Sequence, residues 1–374
     1  FDPKALILRT VRATAVGATV NVSYAQGFGT YRGGVVQQGY VKLFGRDGAA
    51  SSSISGGCNS TAILRVDSNV NVLDAEIDLV SLNDGSPASF VLNYVDAPAA
   101  AIKILYIALG GSDISDANVF TYTDDGTTNP QDVTVVAGFG QPDLVLVQSR
   151  ALLAAGDTVN NSNLTFGAAS SSASRRITNY RVINNVAAEQ VFHTQRAVYF
   201  LEAGTVVNEF ADLAAKADWP TDGIRISKTI TTASSSFVVA LALKGTFQSS
   251  IGTTLAPTTG GLPVNVDIDA GFPPSLGMVW GGNMVASVGP DDTGADLGMF
   301  GFGATDGTTE GWLGITADDA ALDMDDNRYH NEAKTIQFYT PDQTLVSEAD
   351  GSFTGNIFRL AYNDIDTVAR ENNY

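Results

Sequence analysis

"AGFGQPDLVLVQSR", Ala137 to Arg150, sets a glycine and a phenylalanine ahead of a proline and an almost unbroken aliphatic run. A phenylalanine, a proline two or three residues on and then an aliphatic run recur in "AGFPPSLGMVWGG", Ala270 to Gly282, and in the opening "FDPKALILRT", Phe1 to Thr10. Glycine before the phenylalanine permits a sharp turn or a positive φ. The proline (Pro3, Pro142, Pro274) fixes φ and cannot donate to a sheet ladder, so it marks a strand boundary. The segments after it, "KALIL", "DLVLV" and "LGMVW", read as central strands buried on both sides.

Two further anchors follow each segment. One is a Phe-Gly before small residues: Phe44-Gly45, Phe166-Gly167 and Phe302-Gly303. The other is a late strand with a small residue between larger ones, around Ala108, Ala242 and Ala361. From the opening phenylalanine, the Phe-Gly lies 43, 27 and 30 residues on, and the late alanine 107, 103 and 89. An alternating strand, "DVTVVAGF" or "VNVDIDAGF", precedes only the second and third copies. The repeat predicts three degenerate modules over 1–128, 129–260 and 261–374.

Composition agrees. A chain of 374 residues with 38 glycines, 16% charged residues and short runs of Val, Ile, Thr, Phe and Tyr favours strands and turns. The expectation is an all-β protein of three tandem β-sandwich modules, jelly-roll-like or lectin-like. One short helix is expected in the middle module, near Asn208 to Ala217. There "TVVNEFADLAAKADWP" has apolar residues at helical spacing, an acidic start and Pro220 as a stop.

The recurrent "GFxPDLVLV…FGAA" pattern resembles sequences of tailed-bacteriophage structural proteins. The matching positions are Phe139, Pro142 to Val147 and Phe166-Gly167; Phe272, Pro274 and Phe302-Gly303; and Phe1, Pro3 and Phe44-Gly45. The resemblance implies a virion component without enzymatic activity. It carries core and turn positions rather than a site.

The formal net charge is −19, and residues 265–374 hold 19 acidic against 4 basic side chains. Such a surface repels nucleic acid and anionic membranes, so neither is an expected partner. The apolar stretch around Lys103 is too short to span a bilayer, and no basic-then-apolar leader is visible at the N-terminus. The expected partners are other virion proteins or further copies in a symmetric array, with host glycan as the alternative.

Candidate sites are sparse. "TADDAALDMDDN" places Asp318, Asp319, Asp323, Asp325 and Asp326 close together. An EF-hand starting at Asp323 fails, with Arg328 at position six and Lys334 at position twelve. A looser Ca²⁺ loop through Asp319, Asp323 and Asp325 stands as the metal candidate, against a solvated acidic loop. His193 and His330, the two histidines, make neither a zinc set nor a triad. Cys58, the single cysteine, sits in loop-like "SISGGCNST" without basic neighbours and reads as inert. Trp280 is expected in the core. Trp312, flanked by glycines in "DGTTEGWLGI", is the tryptophan expected to be exposed and available for sugar stacking.

Overall fold

A strand buried on both faces needs two cores, and the chain builds them. The computed structural model describes residues 1–374 except 14–16, 21, 46–53, 69–71, 84–86, 124, 126, 128, 151–155, 161, 171–173, 183–188, 195–210, 229–236, 286–288, 292–297, 318–326 and 341. The first third supplies β1 (Pro3–Thr10), β2 (Gly17–Val20), β3 (Val22–Arg32), β4 (Val35–Gly45), β5 (Ile54–Asn59), β6 (Leu64–Asp67), β7 (Leu73–Asn83), β8 (Ser89–Asp96) and β9 (Leu105–Gly110). The middle supplies β10 (Ile114–Thr123), β11 (Gln131–Thr134), β12 (Leu144–Arg150), β13 (Gly156–Asn160), β14 (Ser162–Ala169), β15 (Arg175–Val182), β16 (Glu189–Thr194), β17 (Ala211–Leu213), β18 (Gly223–Lys228) and β19 (Phe237–Gly245). The last part supplies β20 (Thr253–Leu255), β21 (Val264–Asp269), β22 (Gly277–Val285), β23 (Gly289–Asp291), β24 (Gly298–Thr305), β25 (Glu310–Ala317), β26 (Asn327–Asn331), β27 (Ile336–Tyr339), β28 (Leu345–Thr354), β29 (Ile357–Asp364) and β30 (Arg370–Asn373).

The protein is all-β, with each module a large antiparallel sheet packed on a small one. The large sheets run β13-β5-β4-β3-β1-β9, β10-β19-β12-β14-β15-β16-β23 and β2-β26-β25-β24-β22-β30-β20. The small ones run β6-β7-β8, β11-β18-β17 and β21-β29-β28-β27. The aliphatic segments form β1, β12 and β22. Ahead of them Gly138 and Gly271 take φ of 76° and 78°, a region that glycine enters without a Cβ clash.

Alternate side chains of these strands serve different cores. Leu6 and Leu8 join the sandwich of module one, Val145 and Val147 that of module two, and Val279 that of module three. Ala5, Ile7, Leu144, Leu146 and Trp280 point the other way, into one cluster shared by all three modules. The three large sheets therefore enclose a common core, with the small sheets outside. Period-2 alternation is present but invisible in the sequence, because both faces are dry.

The modules also exchange strands in a closed cycle. The strand after β1, which is β2, pairs with β26 of module three. Its counterpart β13 pairs with β5 of module one, and β23 pairs with β16 of module two. Each module thus gives one edge strand and receives one. The strands that precede modules two and three cross the same way: β10 closes the edge of β19, and β20 that of β30.

Several expectations need correction. The short helix expected near Asn208 to Ala217 is a single 3₁₀ turn at Lys216–Asp218; Asn208 to Phe210 lie outside the described residues, and Ala211–Leu213 is a strand on β18. The Ala214 amide donates to the Arg225 carbonyl, continuing that ladder, and Leu213 and Trp219 fill the core of module two. Sheet pairing overrides helical spacing here. Ala361 lies on β29 of a small sheet, whereas Ala108 and Ala242 lie on β9 and β19 of large ones. The counterpart of β9 and β19 is β30.

Phe44-Gly45 is likewise not the partner of the other Phe-Gly pairs. Gly167 faces Val147 and Gly303 faces Val279, and the residue facing Leu8 is Gly27, preceded by Gln26. The glycine has a tertiary cause. A Cβ on Gly27 would collide with the Ile63 carbonyl oxygen, and one on Gly303 with that of Thr335. Both carbonyls belong to the chain entering the small sheet across the strand.

Candidate functional site: the three-module junction

The correct alignment brings six equivalent positions to one place. Arg9, Gln148 and Trp280 each lie six residues after their proline. They face Gln26, Phe166 and Phe302 across the first strand pair of each large sheet. All six side chains are at most 1% exposed, at the centre of the enclosed core.

Their contacts run between modules. The Arg9 guanidinium lies over Phe302 at 3.3 Å and over Phe166 at 4.3 Å from the ring centroids. Phe166 meets Trp280 edge-on at 5.2 Å and Phe302 at 5.4 Å. Arg9 donates to the Tyr24 hydroxyl at 2.9 Å, and that hydroxyl donates to Gln26 Oε1 at 2.8 Å. Gln26 Nε2 donates to the Thr165 carbonyl at 3.3 Å and Gln148 Nε2 to the Gly39 carbonyl at 3.2 Å, both across the joint of modules one and two. Asn373 of module three donates to Thr178 of module two at 2.9 Å.

Burial lowers Arg9 to about 10, against the opposing pull of Tyr24, so it is a cation at neutral pH. Its Nε and Nη2 have no acceptor among the described residues. The π faces of Phe166 and Phe302 supply the attraction, an interaction worth about 2 kcal/mol or more once water is gone. The junction side chains are closed to solvent in the folded chain. The chemistry there is that of a lock.

Two carboxylates of the small sheets form matching ion pairs. Asp132 on β11 accepts two bonds from Arg225 on β18, at 2.6 and 2.8 Å. Asp267 on β21 accepts two from Arg359 on β29, at 2.6 and 2.7 Å. These are the same pair in two modules, holding the leading strand on its small sheet. The arginine bonds hold both carboxyls below the ordinary 3.8. Depressed acids stabilise the fold above about pH 3.8, and the contribution is lost as pH falls through their folded values. Carboxyl NMR titration is expected to place both below 3.8, and Arg359→Gln to return Asp267 alone to the usual range.

The candidates named from sequence fall out as follows. Asp318, Asp319, Asp323, Asp325 and Asp326 lie outside the described residues. Among the described residues no three His, Cys, Asp or Glu side chains gather as a metal set. His330 is buried on β26, with Nε2 3.3 Å from Glu332, and burial lowers its pKa. His193 lies on β16. Cys58 is on strand β5 rather than a loop, fully buried, and burial pushes its thiol up to about 12, so it is not nucleophilic. Trp280 is in the core as expected. Trp312 is 0% exposed, a correction: it lies within strand β25, and Gly301 and Gly303 on the paired strand β24 leave room for its indole.

An open groove of about 360 Å³ lies between β4, β7 and β10, where modules one and two meet. Of its two amides, Gln38 is bonded to Asp78, to the Thr61 carbonyl and to the Leu79 amide, and Gln37 accepts from the Thr30 hydroxyl. The junction residues Arg9, Gln26 and Gln148 were missed from sequence. The signal available for Arg9 and Gln148 was their place six residues after the proline, in step with Trp280. Comparison with protein-family models, curated proteins and solved structures gives no match.

Proposed function

We propose that this chain is a non-enzymatic structural component of a bacteriophage particle, carried on the outside of the capsid or tail and assembled through protein–protein contacts. The observation that carries the proposal is the cyclic strand exchange around a shared core. It makes one chain into a closed three-part ring that can stand where a trimer otherwise would, and interlocked edges resist being pulled apart singly. The resemblance of the three Phe–Pro–aliphatic segments to tailed-phage structural proteins supports the setting.

The second reading is a lectin-like protein that recognises host glycan. Against it, Trp219, Trp280 and Trp312 are 4%, 1% and 0% exposed, which takes the best stacking platforms away from solvent. The test is the copy number of the chain in purified particles, with cryo-EM to locate it. A fixed ratio to the shell or tail protein is expected. A soluble monomer absent from every particle, with saturable binding on a glycan array, would replace this proposal with the second.

A further inference from the structure

We propose that the open groove at the joint of modules one and two is a binding subsite for one residue of a neutral sugar, held by the Asp78 carboxylate and the uncharged polar side chains around it. The inference rests on the groove itself and is independent of the particle in which the chain resides.

The groove exists because a strand stops short. β4 runs Val35–Gly45, but β5 pairs with it only from Tyr40 to Gly45. At Ser60 the chain leaves the large sheet for β6. Val36, Gln37 and Gln38 therefore have β3 on one side and no strand on the other among the described residues. β7 of the small sheet closes one flank, and β10 closes the other, where the Val119 amide donates to Thr30 Oγ1 at 3.1 Å. The space left is about 360 Å³, near the lower end for small-ligand sites.

Its polar lining has bonding capacity to spare. Gln37 accepts from Thr30 through Oε1, and its Nε2 donates to nothing among the described residues. Asp78 spends Oδ1 on Gln38. Its Oδ2 has no partner among the described residues, and neither have the hydroxyls of Ser60 and Thr121.

The same place in module three is fully satisfied. Leu79 and Gly351 occupy one repeat position: they face Leu92 and Leu360 in the matching segments Phe90-x-Leu92-x-Tyr94 and Phe358-x-Leu360-x-Tyr362. Their amides donate to Gln38 and to Glu310. Asp78 is thus the counterpart of Asp350, whose two oxygens are taken by Lys334 and Asn363 at 2.7 and 2.6 Å. The counterpart of Lys334 is Ala62, because the next residues, Thr335 and Ile63, donate alike to the Ala349 and Ile77 carbonyls. Module one has the carboxylate without the cation.

These groups define the ligand. A carboxylate oxygen accepts charge-assisted bonds from ligand hydroxyls, an amide N–H donates to a hydroxyl or ring oxygen, and two side-chain hydroxyls do either. Val36, Leu79 and Phe120 add apolar lining for the C–H face of a pyranose. The uncompensated charge of Asp78 repels phosphate, uronate and sialate, so the sugar is uncharged. None of the three buried tryptophans is needed.

The test uses the full chain and the methyl glycosides of glucose, galactose and mannose. Each is added to about 100 mM, because so small a ligand is expected to bind at about millimolar strength. Saturation-transfer NMR reads contact with the sugar, and backbone hydrogen exchange over 36–38 and 119–121 reads its place. At least one glycoside is expected to bind saturably and to slow exchange in both segments. Ser60→Ala combined with Thr121→Val removes two hydroxyls that bond nothing in the fold, and should weaken binding about tenfold. The matching uronate should bind about tenfold more weakly than the neutral sugar, a gap that Asp78→Asn narrows. Saturable binding of none of the three, full-strength binding in the double variant, or equal affinity for the uronate would each overturn the proposal. Protection of the same segments by trilysine and by no sugar would also overturn it, and would assign the groove to a cationic peptide. Copy number on a particle and sugar binding are read separately, so either proposal can fail alone.

Discussion

Lys42→Ala is expected to lower stability by about 3–5 kcal/mol. Lys42 on β4 reaches Asp67 on β6, with Nζ 2.8 and 2.7 Å from the two carboxylate oxygens, and the side chains are only 3% and 4% exposed. The pair ties the large sheet of module one to its small sheet. Shortening the lysine leaves a carboxylate in an apolar sandwich with its principal countercharge gone. The contrast is the double variant Lys42→Met with Asp67→Leu, which removes both charges and is expected to fall near the parent or above it. Urea midpoints of the parent, each single variant and the double one check this. A single variant within about 0.5 kcal/mol of the parent would mean that water already reaches Asp67.

Phe166→Ala is expected to cost about 3–5 kcal/mol, the range for deleting a buried aromatic. The reason is position as well as volume. The ring touches Trp280 and Phe302 of module three and one face of Arg9 of module one. Its loss opens a cavity where all three modules meet and takes a π face from a cation whose Nε and Nη2 have no acceptor among the described residues. Arg9→Met should be close to neutral, because a buried charge replaced by a hydrophobe of similar length loses its desolvation penalty with its attraction. In a double-mutant cycle the two substitutions should couple by about 1–2 kcal/mol. Calorimetry of Phe166→Ala adds a second check: exchanged strands and a shared core predict one cooperative transition in the parent. Separate module transitions in the parent would show that the junction does not couple them.

The recurring Phe–Pro–aliphatic segments were legible because their causes are local. A proline at a strand start and an apolar run leave the same letters in all three copies, and a glycine with positive φ precedes the phenylalanine in the second and third. The all-β fold followed from them, as did burial of the aliphatic strands on both faces. Other equivalences were misread because their causes lie far away in the chain. Gly27 exists because the Ile63 carbonyl crosses above it, so its neighbour was free to become glutamine, and Phe44-Gly45 offered a false match. Trp312 looked exposed because its sequence neighbours Gly307 and Gly311 were read as turn residues, while Gly301 and Gly303, on the strand paired beside it, supply the space its indole fills.

What the sequence by itself determined is the all-β class and the place of the three aliphatic strands that follow the prolines. Which strand closes which sheet was decided only in three dimensions. So was the junction. Arg9, Gln148 and Trp280 occupy one repeat position, and Gln26, Phe166 and Phe302 another, yet no two of the first set are alike. They share a single central volume, where three buried arginines would repel and three indoles would overfill the space. One cation, one amide and one indole, set against two rings, satisfy each other instead. Within one chain the three copies are free to diverge at this shared centre, and that divergence removes the repetition by which a sequence reveals its repeats.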